Sequence, residues 1–174
     1  MPTFQERAKI IRLVCTDVDG VLTSGQPNFG GDGTHTKAFH VRDGAATVYL
    51  QRCGIKVAFI SGLNSPSTWA RAKQLGVEDC FAGDLVKGPI LAQLCAKYDL
   101  APEQVAHLGD DLPDLPILRR VGLACCPEDA VDEVKAACHF IVPVRGGQGV
   151  LRPVAELILK AQGLWDSVLD RYQE

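Results

Sequence analysis

The chain has 174 residues, 47% hydrophobic and 22% charged, with a formal charge of −3, which fits one globular domain over residues 1–174 with enough apolar material for a core. Its charges are interspersed without a basic run, which excludes an extended nucleic-acid footprint. No apolar run is long enough to span a bilayer, and the first ten residues lack an apolar signal core, so no membrane partner is expected. The seven cysteines are odd in number and contain no C-x-x-C pair, so they read as buried thiols of a reducing cytoplasm rather than a disulfide framework or zinc site.

In chain order, Ile11 to Thr16 reads as a short apolar strand that ends in acids. Between Ser24 and His40, glycines and a proline interrupt the rhythm around two short strand-capable pieces, which predicts a projecting β-hairpin. Asp43 to Arg52 has helical character, with Asp43 placed to cap it, and Lys56 to Ile60 forms a second strand. Ser65-Pro66 is a helix start, and that helix runs to about Leu75, where Gly76 stops it. A short strand follows near Cys80-Phe81, then a helix from about Lys87 to Tyr98. Val105 to Gly109 is a strand, Leu115 to Arg120 a helix, Gly122 to Cys126 a strand, Asp129 to Ala137 a helix and His139 to Pro143 a last strand. From about residue 149 the tail reads as helical to the end. Apolar strands separated by helices define an α/β fold, doubly wound around a largely parallel sheet.

Ligands of such sheets bind at the carboxyl ends of the strands. Here one strand ends in Asp17-Val18-Asp19-Gly20, the next in Ser61-Gly62, and a later one in Gly109-Asp110-Asp111 with Asp114 nearby. Lys87 opens the helix after the third strand. Acids crowded at one edge repel one another unless a hard cation such as Mg²⁺ neutralises them. A hydroxyl, backbone N–H groups and a lysine beside that cation would cradle a phosphate. A lysine at a helix N-terminus opposes the helix dipole, so a nearby anion would account for it. Singly, Asp17 and Asp19 could be turn formers and Asp110 to Asp114 a helix cap; the ordered set favours chemistry. His107, inside a strand, reads as a core histidine.

D-x-D-G-V-L, then S-G, a lysine and G-D-D-x-x-D resemble the four motifs of the haloacid dehalogenase superfamily, in that family's order. The resemblance implies a Rossmann-like core and a Mg²⁺-dependent phosphatase acting on a small-molecule phosphate ester. Asp17 would be the nucleophile and a metal ligand, Asp19 the general acid and base with its carbonyl on the metal, and Asp110 the second carboxylate ligand. Ser61, Gly62 and Lys87 would hold the phosphoryl oxygens, with Asp111 and Asp114 supporting the metal loop. The gaps between motifs cannot house a cap domain. The hairpin, Lys37 to Gly44 and the G-G-x-G-x-x-R run ending at Arg152 resemble the capless, tetrameric 3-deoxy-D-manno-octulosonate 8-phosphate phosphatases of lipopolysaccharide biosynthesis and their relatives acting on nine-carbon sugar acids. That likeness implies a homotetramer joined through the hairpins, substrate contacts from His40, Arg42, Asp43, Gly44 and Arg71, and a tail able to reach a neighbour's site. Val48 and Leu63 stand where that group places arginines, which implies an altered substrate pocket. The alternatives are a capless phosphatase for a macromolecular phosphate and a non-catalytic oligomerisation module like those attached to nucleotide-sugar synthetases.

Overall fold

The structure, a computed structural model, describes residues 2–173. Six parallel strands form the sheet: β1 (Leu13–Asp17), β4 (Lys56–Ser61), β5 (Asp79–Ala82), β6 (Val105–Leu108), β7 (Leu123–Pro127) and β8 (Phe140–Val142). A separate antiparallel pair, β2 (Asn28–Phe29) and β3 (His35–Thr36), is the hairpin. In space the large sheet runs β5-β4-β1-β6-β7-β8. The chain builds outward from β1 on one side, then crosses back to β6 on the other. The strand order therefore reverses about β1, and a crevice opens at the carboxyl ends of β1, β4 and β6.

Alternation along β1 feeds two cores. Val14 packs on one face with residues of α2 (Val41–Arg52) and α7 (Leu151–Ala161). Leu13 and Cys15 pack on the other, with residues of α4 (Gly88–Tyr98) and α5 (Leu115–Leu118). In α7 the buried set is Leu151, Val154, Ala155, Ile158 and Leu159, spaced three and four apart as one apolar stripe. α3 (Pro66–Gln74) and α6 (Asp132–Ala137) complete the layers.

Three details depart from the sequence reading. A first helix, α1 (Phe4–Ala8), precedes β1; Thr3 and Glu6 form a reciprocal capping box that stabilises it. The cap of α2 is His40, whose Nδ1 accepts from the Arg42 N–H at 3.2 Å, while Asp43 lies inside the first turn, buried. The tail is not one helix. It breaks after Ala161 at Gly163, which has φ +68°, and resumes as α8 (Trp165–Leu169).

Candidate active site

β1 delivers Asp17 to the crevice, and the chain then turns sharply through Val18–Leu22. Gly20 makes this turn possible. Its φ is +99°, and a Cβ there would lie 2.0 Å from Asp110 Oδ2. No other residue could bring the Asp17 loop this close to the acid at the end of β6. Lys87, at the N-terminus of α4, is 3% exposed and donates to Asp17 Oδ1 at 2.6 Å and Asp114 Oδ1 at 2.8 Å. The lysine thus has its anions. Asp114 is 1% exposed, and its second oxygen accepts from the backbone N–H groups of Asp110 and Asp111 at 3.2 and 3.5 Å. It thereby fixes the loop that presents Asp110. Asp111 caps the following turn by accepting from Leu112 N at 2.8 Å.

His107 is more than core filling. Its Nε2 lies 2.9 Å from Asp114 Oδ1. Burial lowers its proton affinity, and because the ionised Asp114 carboxylate can only accept, Nε2 carries the proton of this bond. Burial alone would raise Asp114, but hydrogen bonds and charge from His107 and Lys87 outweigh it and hold the acid at about 2. Asp17 and Asp110 go the other way. Burial, only partly offset by Lys87, pushes Asp17 up to about 7. Burial together with the charges of Asp17 and Asp114 pushes Asp110 up to about 8.

Asp19 sits across the turn. Its Oδ2 accepts from Lys37 Nζ at 2.7 Å and lies 2.9 Å from Ser61 Oγ. Asp17, Asp19, Lys87, Asp110 and Asp111, with Gly62 at the end of β4, line an open pocket of about 500 Å³ whose rim includes Leu63 and Leu85. Side-chain oxygens of Asp17, Asp110 and Asp114 lie within 4.8 Å of one another. Three carboxylates for one lysine leave excess negative charge, and burial, which pushes Asp17 and Asp110 up, makes that charge harder to bear without a further cation. A hard divalent cation fits this donor set.

The substrate residues inferred from the sequence form a second group outside this pocket. Asp43 Oδ1 accepts from Arg152 N at 3.2 Å and so caps α7. Arg71 lies 5.6 Å over the Phe39 ring, reaches the His40 carbonyl at 3.5 Å, and packs where a Cβ on Gly44 would sit. Arg42 is exposed. Val48 faces a different groove, beside Tyr49 and Arg52, so of the two positions that depart from the octulosonate group only Leu63 borders the catalytic pocket. Arg152 is held within the chain, 5.2 Å over the rings of Tyr49 and Trp165 and bonded to Glu156 at 2.7 Å. Lys37 and the His107–Asp114 bond were not foreseen. The only signal for Lys37 was its place at the head of the Lys37 to Gly44 segment.

Comparison with known proteins agrees with this architecture. Residues 73–153 match the haloacid dehalogenase-like hydrolase family. The chain is 38% identical to the 3-deoxy-D-manno-octulosonate 8-phosphate phosphatase KdsC of Haemophilus influenzae, over 97% of this chain and 93% of that one. The crystal structure of the Moraxella catarrhalis 3-deoxy-D-manno-octulosonate 8-phosphate phosphatase, in complex with magnesium ion, phosphate ion and KDO, superposes with a TM-score of 0.95 at 37% identity, covering 98% of each chain. A probable YrbI-family phosphatase from Pseudomonas syringae gives a TM-score of 0.95 at 43% identity, over 98% of this chain and 97% of that one. The chain belongs to the haloacid dehalogenase-like hydrolases and, within them, to the capless phosphatase group that these relatives represent.

Proposed function

We propose that the chain is a Mg²⁺-dependent phosphomonoesterase that releases phosphate from a phosphorylated eight- or nine-carbon sugar acid through an aspartyl-phosphate on Asp17. One observation carries this reading: a buried aspartate locked to a buried lysine, at the strand-order reversal of a sheet whose relatives are octulosonate 8-phosphate phosphatases. Asp17 and Asp110, with the main-chain carbonyl of Asp19, would hold the ion. Bound there, Mg²⁺ supplies positive charge against the phosphoryl oxygens and the nucleophile.

The rest of the reaction falls to the chain. Lys87 fixes one oxygen of Asp17 and leaves the other to attack phosphorus, forming the acyl-phosphate bond as the ester P–O bond breaks. Lys87 and the N–H groups around Ser61-Gly62 bear the charge on the phosphoryl oxygens. Asp19 gives its proton to the departing alkoxide, then takes one from the water that attacks phosphorus and releases inorganic phosphate. Arg42 and Arg71 are the guanidiniums available for a sugar-acid carboxylate. Both lie outside the catalytic pocket of their own chain, which supports a homotetramer in which neighbouring copies complete each site. The free cysteines fit a cytoplasmic enzyme.

Turnover of octulosonate 8-phosphate and of a nine-carbon analogue, followed by phosphate release, tests the reading. Asp17→Asn should lower kcat by roughly 10³-fold or more, because an amide cannot form the acyl phosphate. Chelation should abolish activity and added Mg²⁺ restore it. Near-normal turnover by Asp17→Asn, or full activity without divalent ions, would overturn the mechanism.

A further inference from the structure

We infer that Lys37 is a positioning residue for this reaction, fixing the Asp19 carboxylate so that one oxygen is committed to the protein and the other faces the leaving group. This rests on the reading of Asp19 as the acid and base. Lys37 follows β3 directly, and its side chain is 3% exposed. A buried ammonium is tolerated only where anions and acceptors replace its water. Here those are Asp19 Oδ2 at 2.7 Å and Thr68 Oγ1 at 3.0 Å.

Ser61 Oγ lies 2.9 Å from the same Asp19 oxygen and 3.0 Å from the Leu63 carbonyl, and its one proton serves either acceptor, which leaves Lys37 as the donor committed to Asp19. The two groups arrive from different segments and meet at Oδ2, and among the described residues no donor reaches Oδ1. The Asp19 side chain stays one-third exposed and lines the pocket. A carboxylate met at one oxygen from two directions, and held there by the ammonium, cannot swing about its terminal torsion, so Oδ1 keeps a fixed aim into the pocket. The other charged groups there, Asp17, Lys87 and Asp110, make no hydrogen bond to Asp19; they bond among themselves and with Asp114. The aim of Asp19 thus depends chiefly on Lys37.

Lys37 also ties the hairpin to the site. Its bond to Thr68 reaches the first turn of α3, beside the Ser67 Oγ that donates to the His35 carbonyl at 3.4 Å. The return of the hairpin is seated by the same bonds that orient the acid.

The test compares wild type, Lys37→Met and Lys37→Arg with Mg²⁺ present on two esters. One is p-nitrophenyl phosphate, whose leaving group departs without a proton; the other is octulosonate 8-phosphate, whose alkoxide requires one. Lys37→Met should lower kcat on the sugar ester about 10- to 100-fold, within the range that a placed acid contributes. KM should stay nearly constant, and the aryl ester should be little affected. Lys37→Arg should recover most of the loss, and Lys37→Met should add nothing in an Asp19→Asn background. An equal loss on both esters, a rise in KM alone, or full additivity with Asp19→Asn would overturn the inference. Should Lys37→Met not fold, Thr68→Val loosens the same ammonium and must show the same contrast between esters. Wild-type protein inert toward both esters would instead remove the functional reading, and this inference with it.

Discussion

Asp43 and Asp114 are both buried carboxylates, and their partners send them in opposite directions. Asp114 meets a lysine and a histidine. Asp43 meets backbone N–H groups of Arg152 and Leu151 and the nearby charge of Arg71, too little to offset burial, which pushes it up to about 7. Its Oδ2 has no hydrogen-bond partner among the described residues. In the unfolded chain this acid ionises near the usual value of about 3.9. Between that value and about 7 the folded state therefore holds a proton that the unfolded state has lost, and stability falls as pH rises through that window. Asp43→Asn keeps an oxygen for the Arg152 N–H and removes the charge. Its thermal midpoint should match wild type near pH 4 and exceed it at pH 8, by on the order of 1–3 kcal/mol in stability. An equal shift at both pH values would rule out titration as the cause. A separate fall in kcat/KM would mark Asp43 as a substrate contact.

At this scale the sequence was legible where function concentrates several residues in one short motif. Asp17, Asp19, Asp110 and Asp114 could be found because strand ends and acid spacing bring them together. Lys37 and His107 could not, since each gains its meaning from a partner on another element: Asp19 lies 18 positions from Lys37, across the hairpin.

Among the elements, the glycine run before α7 has a definite mechanical role. A Cβ on Gly146 would sit 2.1 Å from the carbonyl oxygen of Gly20, and Gly147 N donates to the Val21 carbonyl at 3.0 Å. Asp129 Oδ1 accepts from Gly146 N at 2.9 Å and holds the run in place. The segment therefore buttresses the catalytic turn of its own chain. Gly146→Ala should displace that turn and lower kcat by roughly 10- to 100-fold, since misplacing reacting groups by about 1 Å costs that much. Retained kcat with only a lower melting temperature would refute the coupling. The hairpin offers an experiment on assembly. Phe29 is 71% exposed and stacks on His35 at 4.9 Å, so the element presents apolar surface and short unpaired edges. Replacing residues 30–33 with a serine-glycine turn should reduce the mass seen by light scattering if the hairpins join the tetramer; an unchanged mass would place the interface elsewhere. The helices and strands of the sheet were readable from periodicity and caps. α1 was missed although Thr3 and Glu6 spell its capping box, because five residues give no period to read. The break at Gly163 was missed because Leu164 and Trp165 continue the apolar pattern past it.

For the molecule as a whole, the cost of gathering acids at one edge should appear in its response to pH. Asp17 and Asp110, raised to about 7 and about 8, keep protons in the folded state that the unfolded chain has released. Without divalent ions, stability should therefore decline as pH rises from about 4 to about 8. Mg²⁺ binds the ionised acids, so it should raise the thermal midpoint more at pH 8 than at pH 5. Equal Mg²⁺ stabilisation at both would argue against a site made of these carboxylates.

The Gln162 side chain donates to the carbonyls of Ala8 and Ile11 at 3.0 and 2.9 Å, stitching the end of α7 to the entry of β1. Asp17 stands at the other end of that strand, roughly 20 Å away at the rise of an extended chain. The helix α1 lies on the same entry side of the sheet, where Arg7 Nη1 donates to the Gly122 carbonyl at 2.8 Å, whereas past Gln162 the chain turns back and brings Tyr172 beside Tyr49, Gly44 and Arg71. A carrier or solid support attached at the α1 side would therefore leave the mouth facing solution, while one attached beside Tyr172 would crowd the groove that holds Gly44 and Arg71.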